Sequence, residues 1–286
     1  MSEFKPSRRA LLLGAAALAG CAAAPQTAPA PAATAPAAPS SPSVVLVHGA
    51  WHGGWCWRYV ADRLRDRGWR VFTPTLTGLG ERRHLLGPDV SLETHVADVA
   101  NLIEAEELDR PVLVGHSYGG MIVEVLAGRL RERLGPLVYL DACLPDDGEN
   151  FITQNPAANG RPDFVASEEA RLRAAAADGV GVAPLPAAVF GVPPGSWQAD
   201  WVNRRLTPHP LKTLLDPARV ENGGSAGLNR IYAHCVAPKL APSSIAEHGA
   251  RLREAPGWRF TTLPTGHDAM VTRPDLVAAL IDAERA

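Results

Sequence analysis

The chain has 286 residues, a formal charge of −2, 46% apolar residues and 26 each of glycine and proline. That balance excludes a charge-rich disordered chain and leaves room for one large domain or two small ones; it also gives no basic footprint for nucleic acid. No run of about 18 apolar residues follows the first few dozen positions, so the body of the chain reads as soluble.

The first segment reads as an address. Ser7, Arg8 and Arg9 precede "ALLLGAAALAG" (10–20), an apolar stretch of signal-peptide length, and the paired arginines point to twin-arginine export. "LAGC", closing at Cys21, resembles a bacterial lipoprotein box, in which the cysteine is acylated and becomes the new N-terminus. The alternative is an ordinary signal cut among Ala22–Ala24. Residues 1–21 read as an export signal with a lipobox, and the mature protein is expected in the periplasm or cell envelope, with a lipid as its only membrane attachment. Residues 22–42, alanine- and proline-rich from Pro25 to Pro42, lack large apolar side chains and read as a tether. The domain then occupies 43–286.

From there apolar runs alternate with helical patterns. "VVLVHG" (44–49) reads as a strand, and "CWRYVADRLRDRG" (56–68) has helical spacing at Val60 and Leu64. "WRVFTP" (69–74) is a second strand, residues 75–90 a long polar loop, and Ser91 opens a helix with Leu92, Val96, Val99 and Ile103 on one face. "PVLVGH" (111–116), a helix from Gly119 to about Arg133 and "PLVYLD" (136–141) follow. Residues 145–229, rich in Pro, Gly and Ala with aromatics such as Phe151, Phe164 and Phe190, are too long for a connection and read as a partly helical cap. "RIYAHC" (230–235), a helix over 243–255, "WRFTTL" (258–263) and a last helix from Pro274 complete the pattern. Six apolar strands alternating with helices predict an α/β fold, a mainly parallel sheet covered on both faces. Ligands are expected at its C-terminal edge, beneath the cap.

One residue breaks the pattern. In "LVYLDACLP" (137–145) Asp141 sits in an apolar run, where an ionised carboxylate is costly without a partner. The main chemical motif is "VGHSYGGM". Gly115-His116-Ser117-Tyr118-Gly119 fits G-x-S-x-G with a strand before it and a helix after. The turn presents Ser117 as a nucleophile at a helix N-terminus, and the Tyr118 N–H faces the developing oxyanion. "VHGAWHGGWCW" follows the first strand, where the second oxyanion donor belongs, and the N–H of Ala50 is next after His48-Gly49. The base is expected after the last strand, and "LPTGHDAM" puts His267 there. His48 and His116 suit structural hydrogen bonds. His52, His84, His95, His209, His234 and His248 hold no position that suits a base.

The stretches "VLVHGAWHGGWCW", "VLVGHSYGGM", "VYLDACLPD" and "GHDAM" resemble the α/β-hydrolase superfamily over about residues 43–286. Within it they are similar to the group of plant methyl-salicylate esterase, the α/β-fold hydroxynitrile lyases and many bacterial carboxylesterases. The resemblance implies a serine hydrolase without cofactor or metal, acting on small-molecule esters, with nucleophile Ser117, base His267 and oxyanion donors Ala50 and Tyr118. The triad acid departs from the plant pattern. There it follows the penultimate strand, but the matching segment here, "CVAPKLAP" (235–242), has Pro238 or Lys239 in that place and no carboxylate. Some relatives, such as haloalkane dehalogenases, carry it at the end of the strand after the nucleophile helix, which here is Asp141. Asp141 therefore reads as the partner that orients His267. The alternatives are a cap on nearby backbone N–H groups, with Glu247 or Glu254 as the nearest other acids.

Other chemistries fit less well. A cyanohydrin lyase would carry threonine in place of Gly49 and lysine in place of Asp268. A dehalogenase or epoxide hydrolase needs a carboxylate nucleophile, and a non-catalytic binding protein would have lost Ser117 or His267. The expected reaction is two-step acyl transfer on small to medium hydrophobic esters. Cys143 and Cys235 end strands that can be neighbours, but buried free thiols are expected, since adjacent strands seldom meet disulfide geometry.

Overall fold

The computed structural model describes residues 41–237 and 244–285. The export signal with Cys21, nearly all of the tether, and Pro238 and Lys239 lie outside the described residues. In chain order the elements are β1 (Ser43–Val47), α1 (Arg58–Arg65), β2 (Arg70–Phe72), α2 (Leu92–Ala105), β3 (Val112–His116), α3 (Gly119–Arg129) and β4 (Leu137–Leu140). Then come α4 (Pro162–Ala175), β5 (Gly181–Val182), α5 (Trp197–Asn203), β6 (His209–Pro210) and α6 (Leu211–Leu215). The chain closes with β7 (Arg230–Cys235), α7 (Ser244–Leu252), β8 (Arg259–Leu263), α8 (Ala269–Thr272) and α9 (Pro274–Asp282).

Six strands form one parallel sheet in the order β2-β1-β3-β4-β7-β8. Alternate residues of β1 serve its two faces. Val44 and Leu46 bury with Val60 and Leu64 of α1 and Val277 and Ile281 of α9, while Val45 and Val47 bury with Val96 and Val99 of α2 and Met121 and Val125 of α3. With helices on both faces no strand position needs to be polar, which is why the strands read as unbroken apolar runs. The helix starts follow local chemistry. Ser91 caps α2 reciprocally with Thr94, and Pro274 opens α9, where its missing N–H costs no helical bond.

Three local expectations change. The helix begun at Gly119 ends at Arg129, and Arg131–Arg133 is a separate 3-10 turn. The segment 75–90 is not wholly polar: Leu76 and Leu79 are fully buried, and Gly80–Leu85 winds into a 3-10 helix. The cap carries the short antiparallel pair β5–β6 as well as helices. Cys56, Cys143 and Cys235 are free and buried.

The chain leaves β1 to build β2 on one side and returns to build β3 on the other, so the ends of β1 and β3 face the crevice that such a reversal opens. Close packing there is strict. Alanine is favoured over glycine inside a helix by about 1 kcal/mol, but a Cβ on Gly120 would lie 2.1 Å from the carbonyl oxygen of Cys143. Gly120→Ala should therefore lower stability, by about 3 kcal/mol, the upper end of the usual cost of overpacking. Chemical denaturation measures it, and a variant as stable as the wild type would show that α3 can slide away from the strand end.

Candidate active site

Ser117 takes φ +52°, a left-handed conformation that side chains disfavour. The turn is held from three directions: the Ser117 N–H donates to Leu140 O (3.3 Å), and the N–H groups of Gly120 and Cys143 donate to Ser117 O (3.0 and 2.9 Å). Gly49 lies against it, where a Cβ would come within 2.8 Å of the Ser117 Cβ. The threonine of a lyase would not fit beside this serine without displacing it.

Asp141 closes β4 with φ +45° and is 2% exposed. Its Oδ2 accepts from Nδ1–H of His267 at 2.8 Å, and its Oδ1 accepts from Nδ1–H of His234 at 2.9 Å and from the Cys235 N–H at 3.0 Å. A carboxylate only accepts, so each imidazole carries its proton on Nδ1 and His267 keeps Nε2 as an acceptor. Burial pulls the Asp141 carboxyl upward, but the hydrogen bonds from His234 and His267, the nearness of the His267 ring and the Cys235 N–H outweigh it and take it down to about 2. Glu247 is half-buried and Glu254 exposed, and among the described residues His267 pairs with Asp141 and with neither glutamate.

Among the described residues neither the Ala50 nor the Tyr118 amide donates a hydrogen bond, which leaves both N–H groups open to an oxyanion. Neutral imidazoles brace the surrounding loops. His48 Nε2 accepts from the Leu76 N–H (3.1 Å), His116 Nε2–H donates to His267 O (3.0 Å), and His95 Nδ1 accepts from the Tyr118 hydroxyl (3.0 Å). Burial takes His48 and His116 down to about 3 and His95 to about 4, values unsuited to a base at neutral pH.

Sequence reasoning assigns His234, His52 and Asp268 no part in the site, because their partners lie far off in the chain. His52 Nδ1–H donates to Ala50 O at 2.8 Å and its Nε2–H to Asp268 Oδ2 at 3.2 Å, so it is an imidazolium in a buried ion pair. Burial opposes its charge, but the Asp268 carboxylate and the Ala50 carbonyl outweigh burial and raise its pKa. Burial likewise opposes the Asp268 charge, and His52 outweighs it and holds that carboxyl low. The pair thus grips the loop that bears the Ala50 amide.

A cavity of 310 Å³ opens on Ser117 and His267 and is walled by Trp51, Phe151, Phe164, Leu172 and Phe190. No hydrogen bond joins Ser117 Oγ to the His267 ring among the described residues; such bonds commonly tighten only with substrate bound. Trp51, at φ +65°, ties the loop after β1 to the cap through its indole N–H on Val182 O (3.0 Å). A larger groove of 710 Å³ lies between α2, α3 and α6, but neither Ser117 nor His267 faces it. No group of three or more His, Cys, Asp and Glu is arranged to hold a metal among the described residues.

Removing one member of a buried ion pair costs about 3–5 kcal/mol, so Asp268→Asn should lower the melting temperature and, through the Ala50 loop, kcat. The Asp268 contribution to stability is present above the ordinary carboxylate pKa and fades as pH falls through its lowered value. That of His52 is complete below the ordinary histidine pKa and fades as pH rises through its raised value. The gap between wild type and variant should be widest at roughly pH 4 to 6.5. A pH-independent gap would mean that the pair is not ionised.

The model of the alpha/beta hydrolase family matches residues 44–280. The chain is 44% identical over 242 residues to the carbendazim hydrolyzing esterase of Nocardioides sp. (strain SG-4G), covering 84% of this chain and 98% of that protein. It is 27% identical over 205 residues to methylesterase 9 of Arabidopsis thaliana, covering 67% and 78%. Among solved structures, an extracellular alpha/beta-hydrolase from a Paenibacillus species matches with a TM-score of 0.71 at 24% identity, over 85% of this chain and 99% of that one, a likeness of fold. The family match over most of the domain agrees with the parallel sheet and with the strand, strained serine and helix described above, and this chain belongs to the alpha/beta hydrolase family.

Proposed function

We propose that the chain is a serine-dependent carboxylic ester hydrolase that works through an acyl-enzyme on small to medium hydrophobic esters. The observation that carries this reading is the convergence of Ser117 and His267 on one apolar cavity, with Asp141 2.8 Å behind the imidazole. His267 Nε2 takes the Ser117 proton as Oγ attacks the ester carbonyl carbon, and the Ala50 and Tyr118 N–H groups receive the oxyanion. Asp141 stabilises the imidazolium that forms. His267 returns the proton to the leaving alcohol oxygen; the same nitrogen then deprotonates a water that attacks the acyl-enzyme, and the acid and the free Ser117 hydroxyl are restored. The aromatic walls and modest volume favour compact apolar esters. The similarity to a carbendazim hydrolyzing esterase and a methylesterase puts carbendazim and methyl esters first in a substrate panel.

Ser117→Ala should remove ester hydrolysis by a factor on the order of 10⁶ while the circular dichroism spectrum stays unchanged. Asp141→Asn should lose about 10⁴ in kcat, and Glu247→Gln and Glu254→Gln should stay within about threefold, as substitutions away from buried contacts do. A folded Asp141→Asn of near-normal rate beside an inactive Glu247→Gln reverses the assignment.

The location proposed is the bacterial cell envelope, reached by twin-arginine export, with Cys21 acylated and residues 22–42 as the tether. The support is the run of Ser7-Arg8-Arg9, the apolar stretch and the lipobox-like "LAGC". Among the described residues no helix is long and apolar enough to cross a membrane. The native protein should fractionate with membranes and Cys21→Ala should release it or block its processing; retention requires more than one acyl chain, since one holds only marginally. A wild-type protein that is free in the periplasm with its mature N-terminus beyond Cys21 sinks the lipid anchor.

A further inference from the structure

We propose that His234 is a positioning residue for the triad, holding Oδ1 of Asp141 so that Oδ2 stays on His267 and dividing the carboxylate's charge between two imidazoles. The proposal rests on the reading of Ser117, His267 and Asp141 given above. Pairing of β4 with β7 sets Leu140 opposite Ala233, and the Asp141 N–H donates to Ala233 O at 2.8 Å, so Asp141 and His234 meet as the next pair along the two strands. The His234 side chain is only 12% exposed. The backbone of α7 packs directly on its ring, since a Cβ on Gly249 would fall 2.7 Å from it, and Phe260 of β8 lies 6.5 Å away between ring centroids. Clamped in this way, the ring has its Nδ1–H aimed at the carboxylate and not at water.

The charged and titratable groups around it leave Asp141 as its partner. Among the described residues no other charged group bonds the ring. The Cys143 and Cys235 thiols near Asp141 are pushed upward by burial and stay neutral. Asp268 is taken by His52, His248 of α7 bonds to Gln154 and faces Arg251, Glu247 of the same helix is half-buried, and Arg253 lies over the Phe260 ring. A carboxylate that accepts from two imidazoles gives less of its charge to each. Without His234 the bond to His267 strengthens and His267 becomes more basic, while the carboxylate loses one of its fixed donors.

The test is the pH dependence of kcat and kcat/KM on p-nitrophenyl acetate, with folding checked by circular dichroism. His234→Phe fills the site without a donor; His234→Asn returns an amide N–H near the Nδ1 position, and His234→Gln carries its amide past it. The Phe variant should lose about tenfold in kcat and shift the acidic limb of kcat/KM upward by about 0.5 pH unit, and the Asn variant should recover to within about threefold. A purely structural role would lower the amount of active enzyme without moving the limb. A folded Phe variant with wild-type kcat and an unmoved limb, or an Asn variant as damaged as Phe, overturns the proposal. If Phe fails to fold, Asn active beside a crippled Gln supports it and Asn equal to Gln overturns it. Asp141→Asn, measured alongside, separates the two levels: inactive beside a normal His234→Phe, it defeats only the positioning role, whereas active, it defeats the triad reading itself.

Discussion

A carboxylate left 2% exposed at the end of a central strand must be met by donors, and those of Asp141 come from two other segments of the sheet edge. His234 and the Cys235 N–H arrive on β7, and His267 arrives on the loop after β8. The charge therefore fastens β4, β7 and the β8 loop at the edge where chemistry is proposed. Were any donor absent, the desolvation cost of the carboxylate would fall on the fold. The same bonds fix the His267 tautomer, so the stability of this edge and the aim of the imidazole are one requirement.

Strain gathers at the same place. Trp51, Ser117 and Asp141 all have positive φ and follow β1, β3 and β4. Conformations of this kind cost on the order of 1–3 kcal/mol each and persist only where the surroundings over-determine them. Here the surroundings are a parallel sheet packed on both faces and the close seat of α3 against the strand ends. Rigid packing lets the chain hold a serine and a carboxylate in orientations that neither would adopt in an isolated loop.

The cap completes the site by walls and by backbone. Phe190 borders the cavity and its carbonyl accepts from the Asp268 N–H at 2.9 Å, while Trp51 reaches back to Val182. Behind both, the His52–Asp268 pair joins the loop that bears Ala50, one of the two proposed oxyanion donors, to the segment that carries His267. The cap thus bears on the proposed reacting centre by shape and the buried pair by charge.

Periodicity and local motif carried much of this. The six strands, the helices between them, the G-x-S-x-G turn and the histidine after the last strand were legible because each depends on neighbours in the chain: strand apolarity on two covered faces, the tight turn on its glycines. The ends of elements were less legible, as at Arg129, where helix and 3-10 turn share the same residue preferences. What only tertiary structure decided was the pairing beyond His267, which the sequence reading already sets beside Asp141. Asp141 marked itself as needing a partner, but the sequence could not say that it has two imidazole partners, nor that His52 belongs to Asp268, 216 residues away. A hydrogen bond spans about 3 Å whatever the separation along the chain, and which side chains come within that reach is fixed by the order and register of the strands.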